Sequence, residues 1–452
     1  MEYFNNNTPA YRLALERNLI VRYLIKIELL SIGESVIGEI TKDLTLDVQG
    51  QININYKQLT RRSCSLSMAN VENKYIPSPN NAIWYNRKFK LWIGILDDKG
   101  DIYWWSQGVY YTQSATANAH TVTIEGVDKG GALDGTLKTN IADVQYIVKA
   151  GNAISNIIRD TLALNMGSST QMNNSTAYSG ASMPIDPVQP LIDLRYNDQL
   201  TKADISIDAN NYLGNLITSI ADNYGADVFY DTEGRMRFTG LADIFFVDGY
   251  KYMAHQWDFI NLTAGFSNPN YQYSFDGYNA VTVYTNLSTD TQALIKAQEE
   301  KKQEDEPQEE NVSGTIDEID VNAPNLSYTA YNVNPLSPLR VGAVGLRQME
   351  SKEIDFIDTT NSDMRDRCQQ YAVMLLHKQS MIGMSLSFDC PIIPHLDVNN
   401  TIGITDEYQD IYAQTFVIQS ITIPLGAGIM NVSATNINWL PSATNMEGMG
   451  VG

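Results

Sequence analysis

Hydrophobic and polar residues alternate with period two along much of the chain, the spacing of strands with one face in a core and the other in water or against a neighbour. Arg22–Leu30 is apolar enough for a core strand, although its length leaves a helix open. From Asp43 to Tyr56, Leu44, Leu46, Val48, Ile52 and Ile54 alternate with polar partners. Lys90–Leu96 and Gly108–Thr112 flank Asp97–Gly100, which has the composition of a hairpin turn, and Thr121–Glu125 adds a further strand. Many short strands at close spacing predict a small barrel or sandwich up to about residue 135.

The period then changes. Ile147, Ile154, Ile157, Ile158 and Leu162 fall mostly on one helical face. A cleaner helix is predicted over Asn210–Tyr224, where Leu213, Leu216, Ile217, Ile220, Ala221 and Tyr224 keep helical spacing and Gly225 supplies the stop. Ala226–Tyr230, a turn at Asp231–Gly234 and Arg235–Phe238 read as the hairpin that follows it. The Ser-, Thr- and Asn-rich stretch Gly167–Gly180 reads as a long loop. Strands return from about 255, for example Asn279–Tyr284. The run Gln298–Asn311 holds seven acids, two lysines and a proline, and it buries too little apolar area to offset its ordering entropy. It reads as a solvated insertion, with an acidic partner-binding arm as the sharper alternative. A third helix is predicted over Asn361–Lys378, with Met364, Cys368, Tyr371, Ala372 and Leu375 on one face. Ile382, Met384, Leu386, Phe388 and Cys390 then alternate with polar residues in a final run of strands.

The first and last sections share three short matches in the same order. Cys64–Met68 (CSLSM) resembles Met384–Phe388 (MSLSF), Ile93–Asp98 (IGILDD) resembles Ile402–Glu407 (IGITDE), and Gln113-Ser114 resembles Gln419-Ser420. Together they indicate one small β-domain present twice. The expected fold class is α+β, mainly β: two similar small antiparallel β-barrel domains joined by an α+β domain, with a helical insertion before the final strands. The expected boundaries are an N-terminal arm at 1–20, a first barrel at 21–135, an α+β domain at 136–254, and a second barrel from 255–290 and 380–440. The insertion is placed at 291–379, with its acidic loop at 298–311 and helix at 361–378, and a tail at 441–452. Three copies of such a chain present six similar modules to a partner.

Composition narrows the function. The 452 residues carry 31 Lys and Arg against 52 Asp and Glu, a formal charge of −21, which disfavours wrapping nucleic acid. Only 18% of residues are charged and 26 are Tyr, the profile of a chain that covers itself with neutral polar groups or buries surface in an assembly. Cys64, Cys368 and Cys390 are too scattered for a disulfide framework or zinc site and read as buried small hydrophobes in a reducing compartment. No apolar run reaches membrane-spanning length, and Met1–Ala10 lacks the order of a signal peptide, so synthesis and folding in a cytoplasm are expected.

No catalytic, cofactor or metal constellation emerges. His120, His255, His377 and His395 form no zinc pattern, and no phosphate loop or nucleophile elbow occurs. Asp97, Asp98 and Asp101 lack calcium-loop spacing and read as a turn. Trp104 and Trp105, adjacent in a strand, face opposite sides, so one is expected in the core and the other available to a partner, with a sugar platform as the sharper reading.

Arg61–Asn70, Tyr75–Pro79, Ile83–Gly94 and Tyr103–Tyr110 resemble the first barrel of tail baseplate hub proteins, those of phages of Gram-positive hosts above all. Ile124–Asp128 is similar to the strand closing that barrel, Ala221–Phe238 to the family's central helix-hairpin, and Gln414–Ser420 with Gly426–Met430 to the last strands of its second barrel. The resemblance covers most of the chain outside 165–205 and 290–355. It implies a non-enzymatic homotrimeric hub in the virion tail baseplate, a pseudo-hexameric ring adapting a sixfold tail tube to a threefold spike. The implied partners are the tail tube or distal tail protein ring, the central spike or tip protein, the tape measure protein, and genomic DNA in transit through the channel. No stable membrane insertion and no cofactor are implied. Many such hubs continue into a peptidase or lysin. Here the sequence after Trp439 leaves no room for one, so that activity is expected on another chain. The rival readings are a receptor- or carbohydrate-binding tail protein and a wall hydrolase.

Overall fold

Among the described residues the alternating segments form the strands they predict; Leu44, Leu46, Val48 and Ile382 lie outside those residues. The computed structural model describes residues 8–17, 23–40, 49–70, 75–137, 145–166, 183–240, 255–285, 326–353, 368–376 and 384–436, apart from short gaps inside these stretches. The run 167–180, the acidic run 298–311, the start of the 361–378 helix and the tail 441–452 lie outside the described residues.

The first β-module begins with helix α1 (Pro9–Arg17), which buries Tyr11, Ala14 and Leu15. Its strands are β1 (Tyr23–Leu30), β2 (Val36–Glu39), β3 (Gln49–Asn55), β4 (Arg62–Ala69), β5 (Lys88–Leu96), β6 (Ile102–Ala117) and β7 (Thr121–Asp128). The middle section comprises β8 (Tyr146–Val148), α2 (Ile154–Ala163), β9 (Asn165–Met166), β10 (Met183–Pro184), β11 (Leu191–Ile192), α3 (Leu194–Asn197), β12 (Ile205–Ile207), α4 (Gly214–Tyr224), β13 (Ala226–Tyr230) and β14 (Met236–Gly240). Beyond it lie β15 (Trp257–Ile260), β16 (Ser267–Tyr273), β17 (Ala280–Thr285), β18 (Leu326–Tyr331), β19 (Lys352–Glu353), β20 (Met384–Pro391), β21 (Thr401–Asp406), β22 (Ile411–Leu425) and β23 (Ile429–Asn436).

Thirteen strands join into one sheet, in the order β16-β20-β23-β22-β3-β4-β7-β6-β5-β1-β2, with β21 paired to β22 and β15 to β21. Strict alternation of buried and half-buried residues in β4 and β20 turns one face of each into a shared apolar core. That core is continuous across both β-modules, from Ile52, Leu66 and Ile124 to Phe388, Ile421 and Val432. The molecule is therefore α+β and mainly β, with barrel-like modules, as the periodicity predicts.

The repeat is visible in the ladder. The first module runs β3-β4-β7-β6-β5 and the second runs β16-β20-β23-β22-β21, each pair antiparallel. The long strands even share a register shift at the same place, after Thr112 in β6 and after Ile418 in β22. Gln113-Ser114 and Gln419-Ser420 thus correspond as the sequence match has them. The other two matches slide. Leu66 pairs with Ile124, and the residue in the corresponding place is Phe388, opposite Val432, two positions beyond the sequence match. Phe89 opposite Tyr110 corresponds to Ile402 opposite Phe416, a slide of four. Both slides are even, so each side chain keeps its face; composition alone cannot distinguish registers that differ by whole pleats. The modules also differ at one margin: β1 runs antiparallel to β5, whereas β15 runs parallel to β21.

In the middle section, Ile154, Ile157, Ile158 and Leu162 of α2 pack with Leu216, Ile217 and Ile220 of α4 and with Val228, Tyr230, Met236 and Phe238 of the β13–β14 hairpin. Ile147 does not belong to the α2 face. It is 47% exposed in β8, paired with β12, and Gly151 at φ +87° separates strand from helix. The predicted 210–224 helix starts at Gly214, after Asn210 at φ +70°. A third core joins Val281, Val283 and Ala330 of β17 and β18 to Cys368, Tyr371, Ala372, Leu375 and Leu376. Hence β17, expected within the second barrel's 255–290 stretch, pairs with β18 and β19 in a separate sheet under the insertion's helical residues. All three cysteines are buried and free.

Candidate functional site

Two features concentrate the structure's specificity: the seam where the modules join edge to edge, and a polar junction where the middle section docks beside it.

At the seam, β22 carries three partners. Phe416 and Val417 pair with both β21 and β23, and Ser420, Ile421 and Thr422 pair with both β3 and β23. Hence β23 takes one edge, while β21 and then β3 occupy the other in succession. Ile54 opposes Ile421 and Ile52 opposes Ile423, all four at most 2% exposed. Each such side chain contributes about 1.5–3 kcal/mol on burial. On the opposite face, Thr422 Oγ1 lies 3.3 Å from Asn53 Oδ1. Gly50 ends the ladder at φ +139°, with Ser65 O only 1.8 Å from where a Cβ would stand.

The junction ties both modules to the middle section. The Arg62 backbone N–H donates to Asp128 Oδ2 at 2.8 Å, and its guanidinium donates to Tyr230 O at 2.9 Å and to the Asp397 carboxylate. Lys129 Nζ donates to Asp186 Oδ1 at 2.6 Å and to Gly234 O at 2.8 Å, and pairs with Glu34 at 2.7 Å; Lys88 Nζ reaches the same Glu34 at 2.6 Å. Arg61 grips Asp227 through two contacts of 2.6 and 2.7 Å and lies 3.9 Å from the Phe229 ring centre. Burial pushes the Asp128 carboxyl up to about 7, against the pull of Arg62 and of backbone donors. Burial also lowers the Lys88 ammonium from its usual range, opposed by Glu34. In the second module the ladder positions of Arg62 and Asp128 are held by Met384 and Asn436. The charges at these two ladder positions are therefore peculiar to the first module; the second buries Asp406 elsewhere, at the end of β21.

Beside the junction opens a cleft of about 610 Å³, lined by residues of all three sections, among them Trp92, Trp104, Trp105, Arg237, Glu233 and His395. Trp105 is 7% exposed and packs against Tyr11 and His395, at ring distances of 5.2 and 5.6 Å. Trp104 is half-buried, over Gly94 and 5.2 Å from Lys26 Nζ. The pair thus divides as strand geometry requires, with Trp105 in the core. His395 is half-buried beside Tyr11, whose hydroxyl lies 2.9 Å from Nδ1, and its desolvation lowers its pKa to about 4. Asp97 Oδ1 accepts the N–H groups of Lys99 and Asp101 at 2.9 and 2.8 Å, capping its hairpin turn. Among the described residues, no group of three or more His, Cys, Asp or Glu could hold a metal ion, and no helix is long and apolar enough to cross a membrane.

Sequence reading did not single out Glu34, Arg62, Lys129, Asp186 or Asp397. The available signal was weak: charged residues at strand ends, Arg62 opening β4 and Asp128-Lys129 closing β7. Their partners lie 54 to 335 positions away in the chain.

No protein family matches the chain, and no curated protein does. Solved structures do. A tail protein from Neisseria meningitidis MC58 aligns over 91% of this chain and 96% of its own, with TM-score 0.52 and 10% identity. The 43 kDa tail protein of prophage MuSo2 from Shewanella oneidensis aligns over 92% and 99%, with TM-score 0.49 and 12% identity. A chain of the Francisella PdpA–VgrG complex aligns over 97% of this chain and 56% of its own, with TM-score 0.46 and 10% identity. At these identities the likeness to the Neisseria protein is one of fold.

Proposed function

We propose that the chain is a structural, non-enzymatic hub of a phage tail or phage-derived tail-like particle. Three copies form a ring of six similar β-modules, which adapts a sixfold tail tube to a threefold spike or tip and leaves an axial passage for DNA. The observation that carries this reading is the repeat itself: one chain holds two modules of the same strand connectivity, joined edge to edge through β3 and β22. The end-to-end likeness in fold to a tail protein supports the setting. The resemblance to hubs of phages of Gram-positive hosts supports the baseplate position and the tube, spike and tape measure partners. With a formal charge of −21, acids facing the passage keep DNA from adhering, and neutralising them is expected to slow ejection.

Light scattering with averaged electron images tests the assembly, on the purified chain and on particles that contain it. A three-chain ring with six lobes is expected; any other ring number overturns the adaptor role. Zymography on host cell walls is expected to show no clearing, and clearing would revive the hydrolase reading. The cleft favours one second reading, a carbohydrate- or receptor-binding role, because Trp92 and Trp104 line it beside Glu233 and Arg237. Binding of host wall polysaccharide that is lost on Trp104→Ala supports that role.

A further inference from the structure

We propose that β16 pairs antiparallel with the second half of β6 in another copy of this chain, repeating between chains the seam that β3 and β22 make within one. This deepens the hub reading by naming the strand edges that join the copies.

Among the described residues each module leaves open a strand edge that its counterpart covers. In the second module, the outer edge of β22 beyond its register shift is covered by β3. The corresponding edge of β6, from Ser114 to Ala117, has no strand partner among the described residues. In the first module, β3 lies between β4 and β22. Among the described residues its counterpart β16 pairs with β20 alone, and Asn268, Pro269, Asn270, Gln272 and Tyr273 are exposed. Among the described residues one chain thus ends in two open edges, each the counterpart of one side of a seam already built. An unpaired edge presents a row of N–H and C=O groups that another strand can satisfy. Because the two edges differ, the contact is head-to-tail, the kind that generates rings.

The register follows from the ladder. Ser114 stands where Ser420 stands, and Tyr271, Gln272 and Tyr273 stand where Ile52, Asn53 and Ile54 stand. Ile421 opposite Ile54 therefore becomes Ala115 opposite Tyr273 of the next copy, and Ile423 opposite Ile52 becomes Ala117 opposite Tyr271. The two Ile–Ile pairs are replaced by small residues on β6 and large ones on β16, a complementary division of volume. Tyr273, now 51% exposed, gains a neighbour. On the other face, Thr422 beside Asn53 becomes Thr116 beside Gln272, so a hydroxyl and a carboxamide meet again.

Cysteine cross-linking of the full chain tests the pairing, since Thr116 and Gln272 are both exposed and the three native thiols are buried. Under mild oxidation, the double variant Thr116→Cys/Gln272→Cys is expected to close most chains into covalent rings. A mixture of the two single-cysteine chains is expected to give a covalent dimer at least tenfold above either alone. Moving one cysteine by a single residue, Thr116→Cys with Tyr273→Cys, is expected to lose the cross-link, because neighbouring strand positions face opposite sides. If light scattering shows a trimer that does not cross-link, the pairing is overturned while the hub stands. A cross-linked ring of another number, or an open ladder, keeps the pairing and overturns the hub. Monomeric chains without cross-links at millimolar concentration overturn the pairing.

Discussion

Lys129 Nζ lies 2.6 Å from Asp186 Oδ1, with 1% of either side chain exposed. Lys129 follows directly on the last strand of the first β-module, and Asp186 belongs to the middle section, so this pair fixes one against the other. Two charges withdrawn from water are held only because each has its partner and Lys129 also reaches Glu34 and Gly234 O.

Breaking that pair from one side leaves a buried charge uncompensated. Asp186→Ala is expected to cost about 3–5 kcal/mol in denaturant unfolding. The double replacement Lys129→Met/Asp186→Leu is expected to recover most of the loss. A double variant as unstable as the single one would show that shape, not charge balance, governs the site.

His395 predicts an acid-side loss of stability. Its folded pKa of about 4 lies below the free value of 6.5, so the unfolded chain takes up the proton first as pH falls. The contribution is complete above about pH 6.5 and is lost as pH falls through about 4, up to about 3 kcal/mol. Asp128 acts in the opposite sense: with a folded value of about 7 against 3.8, the cost of its charge is complete above pH 7 and is relieved on acidification. His395→Gln is expected to shrink the stability difference between pH 7.5 and pH 4.5 by about 3 kcal/mol, read from urea unfolding at each pH. The same difference in variant and parent chains would exclude this proton.

The adjacent tryptophans are expected to behave differently. Trp105→Ala removes a buried ring from the core and is expected to cost about 3–5 kcal/mol. Trp104→Ala, on the half-buried side, is expected to cost less than about 1.5 kcal/mol. Thermal unfolding of the two variants checks the order, and equal losses would contradict the assigned faces.

Gly50→Ala is expected to open the seam. Its φ of +139° disfavours any side chain, and a Cβ there meets Ser65 O and Leu66 Cα of β4. A loss above about 3 kcal/mol is expected, with hydrogen exchange rising in β3 and in 420–425 of β22. Unchanged protection there would mean that the seam tolerates a displaced β3.

How much of this was legible depended on the range of the interaction involved. Period-two spacing placed β3, β5, β7 and β20, and helical spacing placed α4, because those patterns are written in consecutive residues. Asp97–Gly100 and Asp231–Gly234 announced their turns through residue type alone. Ile147 misled because an apolar residue at helical spacing fits a neighbouring strand equally well, and only Gly151 separates the two.

The sequence by itself determined that this is a mainly β chain with two related modules around an α+β section, since local periodicity and repeated residue types need no partner to be read. Tertiary structure alone decided the register of the repeat, because shifts by whole pleats leave every face unchanged. It alone also decided that β17 leaves the large sheet, that β3 and β22 meet, and that Arg62 finds Asp397. Each of those is a choice among distant partners, made by which edges remain unpaired and which buried charges must be neutralised once the strands have folded.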